Sequence, residues 1–290
     1  MKISVVMPSF NQARFVEAAL LSVLNQGHSG TEIIFVDGGS TDGTMDVVER
    51  YRDRLACCVS EPDKGQSDAL KKGFDRATGD VVTWLNTDDL LLPGALREVA
   101  SQFTNRRRCD ALFGNTIWID AEDRIVKCSK SGDHFPHALG LRLGLLSAGG
   151  PSAFFARDLY QAVGGINRDL HYMMDTELWW RFAMHGASLR RSNRYIWALR
   201  LHADAKVSGH LYADKDDPKQ KKVAMARAKE ARHVSDITKG YVWPEAQPVR
   251  DAVRYSRRIA SPEFLAGRLH DRAWRGKNLD AALEALCPAR

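Results

Sequence analysis

The first 90 residues alternate short apolar runs with helical spacing. Residues 3–7 form a β-branched run of the kind that fills a strand buried on both faces. Residues 15–26 place Phe15, Ala19, Leu20 and Val23 along one face, which predicts an amphipathic helix. Residues 32–36 predict a second strand that ends at Asp37. A glycine loop (38–43) and a helix (44–51) follow it. Residues 56–60 predict a short strand, and 66–76 a helix that stops near Gly79. Residues 81–85 predict a strand ending at Asn86-Thr87-Asp88-Asp89. This rhythm predicts an α/β fold, a Rossmann-like and mainly parallel sheet flanked by helices. Ligands of such sheets bind outside the carboxyl ends of the strands. That rule singles out the loops at 8–11, 37–40 and 86–89.

Further on the pattern shortens. Residues 111–113, 116–119 and 125–127 read as strand pieces, the last two joined by a polar turn at 120–124. Residues 140–155 are glycine-rich and apolar, a loop followed by a strand. Residues 158–163 predict a short helix capped by Gly164-Gly165, and 176–185 a helix stopped at Gly186. Beyond about 205 the character changes. Residues 212–232 are rich in Lys and Ala and predict a helix, and Pro244, Pro248 and Pro262 punctuate further basic helices. A boundary near 210 divides the chain into a domain over 1–209 and a basic helical extension over 210–290.

Composition narrows the class. The chain has 290 residues, 44% hydrophobic and 27% charged, enough for a large core and unlike a disordered chain. No run of about 18 apolar residues reads as a membrane span. The first eight residues turn polar too soon for a signal peptide, so a cytoplasmic location is expected. Five cysteines at irregular spacing make neither a disulfide framework nor a zinc half-site, and read as reduced thiols. The formal charge is +6, and residues 210–290, with 17 Lys/Arg against 11 Asp/Glu, carry all of the excess. Such asymmetry points to an anionic partner surface for the tail, a membrane leaflet or an anionic acceptor. No nucleic-acid motif accompanies it.

Four constellations carry candidate chemistry. Asp88 and Asp89 are adjacent carboxylates at a strand end, and a divalent cation that also holds a diphosphate relieves their repulsion. The alternative is a turn or helix cap. Asp37 ends a strand before Gly38-Gly39-Ser40-Thr41-Asp42, and reads either as an acceptor of hydrogen bonds from a base or ribose or as part of a capped turn. Asp175 opens a helix, as a general base or as a cap favoured by the helix dipole. Glu177 and Arg181 at i, i+4 read as an ion pair. His202, followed by Lys206, reads as a structural histidine or as a ligand.

Taken together these stretches resemble the family 2 glycosyltransferases, which have the GT-A fold. The resemblance covers residues 1–208. It runs through Ser4-Val5-Val6-Met7-Pro8-Ser9-Phe10-Asn11-Gln12 and Val36-Asp37-Gly38-Gly39-Ser40-Thr41-Asp42-Gly43. It continues through Glu61-Pro62-Asp63-Lys64-Gly65-Gln66-Ser67-Asp68 and Trp84-Leu85-Asn86-Thr87-Asp88-Asp89. It implies a nucleotide subsite built by Pro8, Phe10, Asn11 and Asp37, with Gly65, Gln66 and Asp68 near the ribose and diphosphate. It implies a Mn²⁺ or Mg²⁺ ion held by Asp88 and Asp89, with His202 within reach. It implies Asp175 as the catalytic base, and Gly150 and Trp179 on the acceptor side. The chain departs from the family where Asn86 replaces the first acid of a D-x-D pattern and Met174 replaces the acid before Asp175.

The expected reaction is inverting transfer of a sugar from a nucleotide diphosphate donor, a UDP-sugar first among them, to a hydroxyl of a glycan or lipid-linked acceptor. Surface polysaccharide or glycolipid synthesis is the implied setting, with peripheral contact to the inner face of the cell membrane through 210–290. Two rivals remain. A sugar-1-phosphate nucleotidyltransferase wants a Gly-rich, basic N-terminal loop, which Pro8-Ser9-Phe10-Asn11 is not. A non-catalytic nucleotide-sugar-binding scaffold draws on the missing acids at 86 and 174.

Overall fold

In the computed structural model, residues 1–104, 109–130, 137–145, 153–206, 218–243 and 247–288 are described. Among these residues nine strands form one sheet. Strands β1 (Ile3–Ser9), β2 (Thr31–Asp37), β3 (Cys57–Ser60) and β4 (Val81–Trp84) lie parallel in the order β3-β2-β1-β4. The sheet then turns mixed. β8 (Ala153–Ala156) runs antiparallel to β4 and to β6 (Ala111–Ile119). β9 (Leu189–Arg200) runs parallel to β6 and antiparallel to the two-residue β5 (Leu90–Leu91). β7 (Ile125–Ser129) extends β6 as a hairpin. The expected α/β architecture is present. Its longest strand, β9, lies in an Arg-rich stretch with no clean alternation of apolar and polar residues.

The alternation of side chains along the central strands sorts the core into two layers. Val6, Ile34, Val36, Val82 and Trp84 face one way, toward α3 (Gln66–Phe74), α6 (Arg157–Ala162) and α7 (Met174–Met184). Ile3, Val5, Met7, Ile33 and Phe35 face the other way, toward α1 (Val16–Leu24), α2 (Thr44–Glu49) and α4 (Ala95–Thr104). α3 approaches the sheet so closely that a Cβ on Gly73 would lie 2.2 Å from Val6 Cγ1. The site residues that follow β3 are therefore pulled over the ends of β1 and β4.

Four helices make up the described C-terminal region: α8 (Pro218–Ile237), α9 (Gln247–Ala260), α10 (Pro262–Trp274) and α11 (Leu279–Leu286). A fifth short helix, α5 (His137–Arg142), precedes β8. Pro218 and Pro262 each open a helix, where a missing N–H costs nothing. Ser261 Oγ accepts from Phe264 N, and Asn278 caps α11 in the same way through Asp280 N. Leu279, Ala282 and Leu286 share a buried cluster with Ile117, Ile119 and Tyr195, so α11 is packed on the sheet. Among the described residues no helix is long and apolar enough to cross a membrane.

Candidate active site

The carboxyl ends of β1, β3 and β4 meet α7 around a cavity of about 560 Å³. Pro8, Phe10, Gly65, Gln66, Asp88, Asp89 and Asp175 all line it. Phe10 is 59% exposed, an uncovered aromatic face at the entrance. Gly65 has a φ of +109° and backs onto His171, whose ring a Cβ would meet at 3.2 Å, so glycine satisfies both backbone and space.

The end of β4 is organised by an amide relay. Lys206 Nζ donates to Gln66 Oε1 (2.9 Å), Gln66 Nε2 to Asn86 Oδ1 (2.5 Å), and Asn86 Nδ2 to Asp89 Oδ2 (3.1 Å). Asn86 thus donates to a carboxylate from the position where the family pattern has an acid. Asp89 also takes the backbone N–H of Arg200 at 2.8 Å. Burial, and then the neighbouring Asp88 charge, push the Asp89 carboxyl well above the usual carboxylate range. Asp88 points to the pocket, with its Oδ2 at 3.1 Å from His202 Nε2. The His202 ring rests on Phe15, their centroids 4.9 Å apart.

Among the described residues no group of three or more His, Cys, Asp and Glu side chains forms a metal cage. The donor set still fits a divalent cation shared with a ligand. Asp88 and His202 offer an oxygen and a nitrogen, and a hard cation held with a diphosphate needs few protein ligands. The lining also holds five aspartates (63, 88, 89, 175 and 204) against Arg200, Lys206 and Arg227. An anionic ligand enters such a cavity only with cations to offset that excess.

Asp175 sits in the first turn of α7 and lines the same cavity. Its Oδ1 accepts from Thr176 N (2.6 Å) and Thr176 Oγ1 (3.2 Å). Burial raises its pKa despite these bonds. A carboxylate with a raised pKa at the rim of a cavity suits proton abstraction.

The remaining expected residues lie elsewhere. Asp37 is fully buried at the end of β2, and its carboxylate accepts from Gly39 N, Ser40 N, Ser40 Oγ and Ser60 Oγ. Asn11, at φ 53°, ties the β1 loop to the β2 loop: its N–H donates to Ser40 Oγ and its Oδ1 accepts from Thr41 N. Asp68 is buried behind the cavity, paired with Arg168 and accepting from Lys64 N. These three do not line the cavity. Trp179, expected on the acceptor side, is buried and does not line the cavity. It is 2% exposed and stacks on Trp84 (centroids 5.6 Å, 11°), forming the layer beneath the pocket floor. The apolar spacing of α7 turns it inward. Gly150 lies outside the described residues.

Arg200, His171, Tyr172 and Arg227 also line the cavity, although no sequence motif pointed to them. Arg200 Nε donates to Asp88 O (2.8 Å), and its guanidinium lies over Phe15, 4.7 Å from the ring centroid, so it buttresses the Asp88-Asp89 turn. Isolated basic residues in a strand or a Lys-rich helix leave no signal in sequence.

Comparison with known proteins settles the family. The model of glycosyl transferase family 2 matches residues 4–164, more than half of the chain. The chain belongs to glycosyl transferase family 2. Among curated relatives, an uncharacterized glycosyltransferase of Nostoc is 39% identical over 41% of this chain and 40% of its own. The putative teichuronic acid biosynthesis glycosyltransferase TuaG of Bacillus subtilis is 36% identical over 38% of this chain and 45% of its own. A β-1,3-glucosyltransferase of Campylobacter jejuni named for a GalNAc(5)-diNAcBac-PP-undecaprenol substrate is 38% identical over 43% and 41%. The chain therefore spans less than half the length of these relatives. Two solved structures share the fold. Staphylococcus aureus TarS in complex with UDP-GlcNAc has a TM-score of 0.57 at 18% identity, covering 78% of this chain and 66% of that one. The mannosyltransferase PcManGT of Pyrobaculum calidifontis, in complex with GDP-Man and Mn²⁺, has a TM-score of 0.56 at 20% identity, covering 99% and 81%. The mixed sheet with flanking helices that they share with this chain is the GT-A architecture expected above.

Proposed function

We propose that this protein is a metal-dependent, inverting glycosyltransferase that takes a sugar from a nucleotide diphosphate donor, a UDP-sugar first among them, to a hydroxyl acceptor. The carrying observation is that Asp175 and the Asp88-Asp89 pair face one cavity from two elements. Asp88 and His202 would hold Mn²⁺ or Mg²⁺, which supplies charge neutralisation for the leaving diphosphate. Pro8 and Phe10 line the wall for the nucleobase. Gln66 and Lys206 line the same cavity and would meet phosphate oxygens there. Asn11 and Asp37 shape the nucleobase loop from behind, and Asp68 braces the start of α3. Asp175 accepts the proton of the attacking hydroxyl. One base and one in-line displacement invert the anomeric centre, by the logic that applies to inverting hydrolysis. Family membership weighs against a nucleotidyltransferase, and Asp175 in the cavity weighs against a bare binding scaffold.

The relatives named for teichuronic acid and undecaprenol-linked substrates support a role in surface polysaccharide or glycolipid synthesis. Peripheral membrane contact through 210–290 is part of this reading. Tyr255 and Leu269 are each 68% exposed and Trp243 51%, in the region that carries the whole positive excess. The test of function is release of UDP or GDP from a panel of nucleotide sugars with and without Mn²⁺. Metal-dependent release from one donor supports the reading and names the sugar. Absence of any nucleotide binding ends it.

A further inference from the structure

The cavity draws a wall from α8, beyond the segment that matches the family. Its three cations differ in how far they are already committed. Arg200 is consumed by Asp88 O, Asp120 O and the Asp123 carboxylate. Lys206 donates to Gln66 Oε1 and lies 3.4 Å from His171 O. Arg227, on α8, donates one Nη2 hydrogen bond to Lys206 O and lies over the Tyr172 ring, 5.0 Å from its centroid. Its Nε is buried with no partner among the described residues. A guanidinium has five N–H donors, and leaving a buried one unmet is costly. Nε itself is covered, but the side chain lines the cavity, so an acceptor there meets the guanidinium at its Nη end.

One turn further along α8, Glu230 is 8% exposed. Its carboxylate accepts three consecutive backbone N–H groups: His171 (2.9 Å), Tyr172 (2.8 Å) and Met173 (2.8 Å). These are free donors at the entry to α7, where the helix dipole favours a negative charge. Asp175 follows two residues later. Positions 227 and 230 share a helix face. That face both lines the cavity and clamps the segment that carries the base.

We infer that α8 is a working part of the site: Arg227 binds a phosphate oxygen of the ligand, and Glu230 is the positioning residue for Asp175. The inference rests on the glycosyltransferase reading for the identity of the anion and for the role of Asp175 as the base. The test is calorimetric titration of the full chain, with Mn²⁺ present, using UDP, GDP and pyrophosphate, beside donor-turnover kinetics. Arg227→Gln should raise the Kd for pyrophosphate and for the preferred nucleotide about tenfold, with an unchanged melting curve, and Arg227→Lys should recover part of the loss. Glu230→Gln should keep the nucleotide Kd within about twofold while kcat falls about tenfold, and Glu230→Asp should restore part of it. Unchanged anion binding in Arg227→Gln overturns the first half. Unchanged kcat in Glu230→Gln, or parallel loss of nucleotide binding and melting temperature, overturns the second. Pyrophosphate binding that is weakened in Arg227→Gln, with no nucleotide bound by the wild type, sustains the anion site and sinks the glycosyltransferase reading alone.

Discussion

Two strand ends at the same edge of the sheet carry the same residue type and satisfy it differently. At the end of β2, Asp37 is fully buried and its carboxylate collects four donors, all from its own loop and β3. At the end of β4, Asp89 has two donors, a charged Asp88 beside it and a carboxyl pushed up by burial. The first is a closed knot that shapes the wall. The second has fewer donors and stands beside another carboxylate at the cavity. A carboxylate at a ligand-binding edge is therefore no guide to its role until its donors are known.

The largest effects should follow from the carboxylates at the cavity. Asp175→Asn should lower kcat by about 10²- to 10⁴-fold with little change in donor affinity, because a general base is removed and its shape kept. Stopped turnover assays with the preferred nucleotide sugar measure this, and a variant within tenfold of wild type would remove Asp175 from the mechanism. Asp88→Ala should lower turnover by about 10²-fold or more and abolish the rise in melting temperature that Mn²⁺ and nucleotide produce together. A Mn²⁺ response that survives would move the metal elsewhere.

The next effect is one of pH. Burial raises the Asp175 pKa, so the base form is lost on acidification earlier than for an ordinary Asp near about 3.9. The acid limb of kcat/KM should therefore lie above that value, and rates should climb with pH through it. The same sign means that Asp89 and Asp175 cost the metal-free protein stability as pH rises through their folded values.

The smallest functional effect, and the sharpest contrast, belongs to the closed knots. Asp37→Asn should destabilise the fold by about 1–3 kcal/mol, since an amide cannot accept all four donors. Its Mn²⁺ dependence should persist. Glu32 is a second closed carboxylate. Burial alone would raise its pKa, but bonds from Lys2, Ser4 and Thr78 outweigh that and hold it at about 2. Its stabilisation is present above the unfolded value near 4.5 and is lost as pH falls toward about 2. Glu32→Gln should flatten that acid limb in thermal melts. An Asp37→Asn chain that melts like wild type yet fails to bind nucleotide would break the comparison, making Asp37 a ligand residue after all.

Much of the architecture was legible because it rests on local patterns. The short buried apolar runs of β1, β2 and β4 and the helical spacing of α1 and α3 are written in consecutive residues, and so are the loops that end the strands. β9 was not legible, because its pairing with β6 tolerates Arg and Ser where the register shifts. The packing of Trp179 was not legible, because an aromatic beside an acidic helix start reads alike whether it faces a pocket or stacks on Trp84.

By itself, then, the sequence determined the α/β class and the family, and put forward the carboxyl edge of the sheet, with Asp88, Asp89 and Asp175, as the candidate site. Only the tertiary structure decided which carboxylates are saturated and which face the cavity. It alone brought Asn86 into a relay with Gln66 and Lys206, and placed Arg227 and Glu230 of a remote helix against the segment before Asp175. The reason is physical: period and turn chemistry act between near neighbours along the chain. Burial, donor counts and charge balance are sums over residues that meet only when the sheet is folded.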